Sequence, residues 1–201
     1  AALLPLILFP LLKVMPISDV GANYGSPIVF LFFGGFVMAL ALEKVNLHRR
    51  IALNIIKLTG TTPNKVVLGF MIATAALSMW ISNTATTVVR LPIAMSVIGL
   101  LVNDDDGFTK NDQNFALSVM LGIAFSANAG GIATVIGTPP NMVMVGLLEN
   151  EYNIEISFFK WMLLGIPFSF TMITISYLVL TKWMFPNRHL KFSASKEVIN
   201  D

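Results

Sequence analysis

The feature that most constrains this chain is a polar triplet, Ser82-Asn83-Thr84, set inside an apolar stretch from Val66 to Val102 whose only charge is Arg90. A soluble core does not run so long without a charged face, so the surroundings are lipid or the interior of a membrane protein. At that depth a cluster of Ser, Asn and Thr is tolerated only where it is packed in protein or lines a cavity. The triplet is therefore a candidate site.

Composition carries the same message. Of 201 residues, 55% are hydrophobic and only 12% charged, the balance of an all-α integral membrane protein embedded in the bilayer. The net charge of +2 does not mark a nucleic-acid binder, because the basic residues lie in short clusters between apolar blocks, where the positive-inside rule places them. With no cysteine there is no disulfide framework and no thiolate chemistry. The two histidines, His48 and His189, sit in basic flanks, and the apolar core holds no His, Asp or Glu to act as a base near Ser82. The chain reads as a carrier or a structural membrane subunit, not an enzyme. It opens on Ala in an apolar run without a basic leader region, and is expected to be a fragment of a longer polypeptide.

The segments follow from apolar runs and breakers. Ala1 to Pro16 is expected to be most of one span, 17–26 a polar loop, and Pro27 to Leu42 a second span; residues 1–43 form one unit. Residues 44–60 carry Leu47, Ile51, Ile55 and Leu58 at helical spacing with His48, Arg49, Arg50 and Lys57 mostly on other faces, an amphipathic interfacial helix. Residues 61–149 hold two interrupted elements. The first, 63–102, has two apolar arms joined by the triplet, either two spans with a tight turn or a hairpin that enters and leaves on one side; periodicity does not decide between these. The second, 114–149, is broken by Gly137-Thr138-Pro139-Pro140-Asn141, since adjacent prolines remove two backbone donors and forbid a regular helix. Asp104, Asp105, Asp106 and Asp112 make 103–113 a solvated loop, and 149–160 is an acidic loop. A final span lies within 150–185, with Trp161 and Trp183 as interfacial anchors, and 186–201 is a basic tail. Basic residues place 44–65 and the tail on the cytoplasmic side of a cell membrane.

Both breaks expose backbone groups. A cation can take the carbonyls that end the first arm, the Ser82 hydroxyl, the Asn83 amide oxygen and an oxygen of Ser78, one turn earlier. An anion can take the free amides that begin the second arm and the Thr84 hydroxyl, helped by the helix dipole. Apolar segments interrupted in this way point to the substrate and ion site of a secondary transporter, and a shell of neutral oxygens suits Na⁺ better than Ca²⁺. Arg90, a charge at membrane depth, is a candidate partner for a second anionic group of the substrate.

Three ordered blocks carry a family resemblance: Ser26-Pro-Ile-Val-Phe-Leu-Phe-Phe-Gly-Gly-Phe36, Ser78-Met-Trp-Ile-Ser-Asn-Thr-Ala-Thr-Thr87 with Leu91-Pro-Ile-Ala94, and Gly130-Gly-Ile-Ala-Thr-Val-Ile-Gly-Thr-Pro-Pro-Asn141. They resemble the divalent-anion:sodium symporters, transporters of dicarboxylates, citrate and sulfate. The resemblance implies one inverted-repeat half with a re-entrant hairpin and a discontinuous helix, in which Asn83 and Thr84, with Ser82, meet a substrate carboxylate. It implies a sodium ion held by Ser78, Ser82, Asn83 and Gly137, in a loop shaped by Thr138, Pro139 and Asn141. It further implies elevator motion, a homodimer, and a second half that this chain lacks. An exchanger without sodium coupling is the neighbouring alternative.

Overall fold

The computed structural model describes residues 3–25, 29–30, 33–34, 37, 40–41, 44–45, 62–101 and 109–186. The expected amphipathic helix over 46–60, the acidic residues 104–106 and the tail beyond 186 lie outside them, as does much of the expected span over 27–42. All regular structure among the described residues is helical. Besides the described helical residues between 29 and 44, the helices are in chain order α1 (Leu4–Leu11), α2 (Ile17–Tyr24), α3 (Pro63–Ser78), α4 (Asn83–Leu101), α5 (Lys110–Ile132), α6 (Pro139–Tyr152) and α7 (Phe158–Leu178). A π-helical turn, Val179–Met184, continues α7.

Helix ends correct three of the expected loops. Residues 17–24 form α2 rather than a loop: Pro16 sets the extended N-cap, Asp19 sits in the first turn where the helix dipole favours a negative charge, and the helix runs through Gly21 to end at Gly25. The expected loop 103–113 ends at Thr109. There a reciprocal capping box starts α5, with the Thr109 amide donating to Asp112 Oδ2 at 2.8 Å and the Asp112 amide donating to the Thr109 hydroxyl at 3.4 Å. Asp112, read from sequence as a loop acid, is thus a buried cap. The acidic 149–152 continues α6 until Asn153 adopts a left-handed conformation, φ 54°, and stops it.

Helix α5 is the axis of the assembly, packing against α3, α4 and α7. Its core with α3 and α4 joins Val66, Val67, Phe70 and Met71 to Ala94 and Ile98 and to Phe115, Val119 and Ile123. Lipid tails are as apolar as these side chains, so close contact rather than water exclusion holds such helices together. Gly130 shows what that demands: a Cβ there would fall well inside 3.0 Å of the Ala75 backbone, so only glycine lets α5 approach α3.

Among the described residues, two helices are long and apolar enough to cross a membrane by length and composition, Lys110–Ile132 and Phe158–Met184. The outward face of α7 has no charged stripe; Phe159, Leu163, Leu164 and Phe170 are each more than 70% exposed. A continuous apolar face of this kind is the surface of a helix that meets lipid or further protein.

Candidate functional site

The two interruptions lie side by side. Helix α3 ends at Ser78 and α4 begins at Asn83, while α5 ends at Ile132 and α6 begins at Pro139. Helix α4 folds back along α3, since Arg90, two turns into α4, bonds Ala73 and Thr74 of α3. Ser82 accepts from the Ala85 amide at 3.3 Å and so caps α4. Its neighbour Asn83 turns its side chain inward, where the Ser78 hydroxyl lies 2.8 Å from Asn83 Oδ1.

Gly131 joins the two breaks. A Cβ on it would strike the Asn83 amide, and one on Gly137 would strike the backbone of Gly131, so Asn83, Gly131 and Gly137 are in direct succession. The unwound segment beyond α5 is held by side chains. Asn141 Nδ2 donates to the carbonyls of Gly131 and Thr134, each at 2.8 Å, and Trp161 Nε1 donates to the Ile132 carbonyl at 2.9 Å. These donors satisfy helix-end carbonyls that the break orphans. Trp161, expected only as an interfacial anchor, is thus also a brace. Trp80 beside the turn packs on Phe158, ring centroids 6.4 Å apart.

The oxygen set fits a monovalent cation. Ser78 has one proton and two acceptors within reach, Asn83 Oδ1 at 2.8 Å and the Ala127 carbonyl at 2.7 Å. Donating to Ala127 leaves the Ser78 oxygen and Asn83 Oδ1, 2.8 Å apart, both free to act as acceptors. Asn141, its nitrogen committed, can offer a cation only Oδ1. The oxygens of Ser78, Asn83 and Asn141 are all neutral, and among the described residues no cluster of three or more His, Cys, Asp or Glu could hold a metal.

On the other side of Asn83 an open depression of about 260 Å³ is lined by Asn83, Thr84, Thr87 and Val88 of α4 and by Ala124 and Asn128 of α5. Asn83 Nδ2 donates to Asn128 Oδ1 at 3.2 Å, and the Thr87 hydroxyl donates to the Asn83 carbonyl at 2.8 Å. The Asn83 amide thus separates two environments, with its oxygen toward Ser78 and its nitrogen toward the depression.

Of the expected site residues, the structure gathers Asn83, Gly137 and Asn141 around Gly131, with Ser78 bonded to Asn83, Ser82 capping α4, Thr84 on the depression and Thr138 as the extended cap of α6. Arg90 lies elsewhere. Only 1% exposed, its guanidinium donates to the Ala73 carbonyl at 2.7 Å and the Thr74 hydroxyl at 3.3 Å, and it does not line the depression. Among the described residues no carboxylate pairs with it. Sequence reading missed Asn128, Thr87 and Thr134. For Asn128 the signal was there: an uncharged polar residue inside an apolar run, two before Gly130-Gly131, as the triplet is inside its own.

The profile of the citrate transporter family (CitMHS) matches residues 1–197. The chain belongs to this family. Among curated relatives, the sodium-dependent dicarboxylate transporter SdcS of Staphylococcus saprophyticus is 42% identical over 186 residues, 92% of this chain and 35% of that protein. SdcS of Staphylococcus aureus strain USA300 is 41% identical over 181 residues, 89% of this chain and 35% of that protein. The chain therefore spans about a third of the length of the curated relatives it matches. Membership in a family of transporters agrees with the resemblance carried by the three motif blocks.

Proposed function

We propose that this chain is the first half of the substrate pathway of a sodium-coupled secondary transporter of di- and tricarboxylates in the cell membrane, of the succinate, malate and citrate class. The observation that carries this reading is the single contact set Ser78–Asn83–Gly131–Gly137, which unites two helix breaks and gives the Asn83 amide one face for a cation and another for an anion.

In this reading Na⁺ is held by Ser78, Ser82, Asn83 and Gly137 within a loop shaped by Thr138 and Asn141. A substrate carboxylate meets Ser82, Asn83 and Thr84 at the start of α4, where unpaired amides and the helix dipole favour an anion. Coupling follows from the shared side chain. Sodium on Asn83 Oδ1 polarises the amide and fixes its orientation, making its N–H groups better donors to the carboxylate. Arg90 then contributes through space: a buried positive charge about 10 Å along α4 from the tip, without a counter-ion among the described residues, raises the potential for an anion there.

The pair α3–α4 is a re-entrant hairpin and α5–α6 a discontinuous membrane helix. Both belong to a moving body that travels past a scaffold in an elevator cycle within a homodimer, and a second inverted half completes the site. The support for this is the family, the sodium-dependent dicarboxylate transport in the relatives' names, and the packing of hairpin turn and broken helix into one unit.

The test is labelled succinate uptake into proteoliposomes of the full-length protein with and without a sodium gradient, for wild type and Asn83→Ala. Sodium-driven uptake lost in the variant is expected. Uptake driven by internal dicarboxylate and indifferent to sodium would replace coupling with exchange.

A further inference from the structure

Asn128 sits on α5, outside every motif that drew attention to the site, yet it is the polar residue that α5 presents to the depression beside Asn83. Its carboxamide has one oxygen and one nitrogen in a rigid plane. The oxygen is committed, accepting from Asn83 Nδ2 at 3.2 Å. That leaves the Asn128 nitrogen, with two N–H groups, at the other edge of the same planar amide. The side chain is exposed, and among the described residues its nitrogen donates to nothing. The arrangement is unlike that of Thr87, whose proton is already given to the Asn83 carbonyl, leaving only acceptor capacity.

The lining of the depression is therefore divided. Asn128 Nδ2 and the exposed Thr84 hydroxyl are its free donors at the polar end, and one turn further along the two helices Val88 and Ala124 supply an apolar wall. A group that accepts from neutral donors and carries a short hydrocarbon next to it matches that division; a carboxylate on a methylene is such a group. Resting on the carrier reading above, we infer that Asn128 is a specificity-determining residue that contacts a substrate carboxylate through Nδ2 while its oxygen steadies Asn83.

The discriminating variant is Asn128→Asp in the full-length protein. Asp keeps size and the oxygen that accepts from Asn83 but exchanges the N–H donors for a negative charge. The succinate KM is expected to rise at least tenfold, while the sodium concentration for half-maximal uptake stays level or falls, because the new charge attracts the cation. A residue that only steadied Asn83 would not split the two constants in this way. A KM within twofold of wild type, or a rise in the sodium requirement with KM unchanged, would overturn the assignment.

A second measurement does not depend on Asp being tolerated. This chain has no cysteine, so Asn128→Cys in an otherwise cysteine-free protein reports contact through the rate of thiol alkylation. Succinate in the presence of sodium is expected to slow the labelling at least fivefold; equal rates with and without it would sink the contact. Wild-type protein that shows no sodium-driven uptake would instead defeat the carrier reading, and protection of Cys at 128 by succinate, citrate or sulfate would still decide the role of this position.

Discussion

The Thr134 hydroxyl donates to the carbonyl of Met79 at 2.5 Å and accepts from the Gly137 amide at 3.1 Å. One buried side chain thus ties the carbonyl that follows α3 to the amide that precedes α6, and makes the two helix breaks a single structure. Backbone groups freed by a break must find partners inside the protein when no water is at hand, and Thr134 supplies one to each side.

Thr134→Val tests this link with almost no change of shape. It takes the hydroxyl donor from the Met79 carbonyl and leaves the Gly137 amide only its long bond to the Thr134 carbonyl at 3.4 Å, a loss of about 1–3 kcal/mol. A fall in the thermal midpoint is expected, together with a higher sodium requirement for uptake. An unaltered midpoint would show that other groups satisfy both atoms.

Gly131→Ala places a methyl group into the Asn83 amide, whereas Gly99→Ala meets nothing within 4 Å. The first is expected to raise the sodium concentration for half-maximal uptake more than tenfold or to abolish transport. The second, in an exposed helical position, should leave transport alone and add a few tenths of a kcal/mol to stability, at most ~1. Sodium titrations of uptake by both variants, made side by side, check the contrast.

Arg90→Met removes a buried charge while keeping an unbranched chain. Two hydrogen bonds are lost but so is the desolvated charge, and the two effects offset, so the thermal midpoint should move little. The field of a unit charge some 10 Å away at an effective dielectric of ~20 is worth ~1–2 kcal/mol. The succinate KM is accordingly expected to rise severalfold and the sodium requirement to fall, opposite shifts because the two ions carry opposite charge. Arg90→Lys keeps the charge but not the two-point donor geometry, and should preserve both constants at some cost in stability. Shifts in the same direction would contradict a field effect.

Trp161→Phe deletes the indole N–H that reaches the Ile132 carbonyl and keeps the ring against Val135, Met142 and Val145. A loss of roughly 1 kcal/mol is expected from one half-buried hydrogen bond. Because the brace holds the segment carrying Gly137, the stabilisation conferred by sodium, read as the rise in thermal midpoint on adding NaCl against KCl, should shrink as well. An unchanged sodium increment would confine Trp161 to packing.

Much of this was legible in the chain itself. The apolar runs, the triplet at 82–84 and the Pro139-Pro140 pair determined where helices stop, because missing N–H donors and competing polar side chains act locally; the arms expected over 63–102 appear as α3 and α4. The loops were less legible: a row of acidic residues does not reveal that Asp112 turns back to cap α5, nor that helix α6 continues through Glu149 to Tyr152. What only the tertiary structure decided is which break meets which, and what faces what. That Gly131 lies against Asn83, that Thr134 spans from Met79 to Gly137, that Asn128 shares the depression and that Arg90 turns away from it onto α3 all depend on how closely α5 approaches the hairpin. Composition and spacing set the elements through short-range sterics and backbone hydrogen bonding. The site arises from contacts some fifty residues apart, which local patterns do not encode.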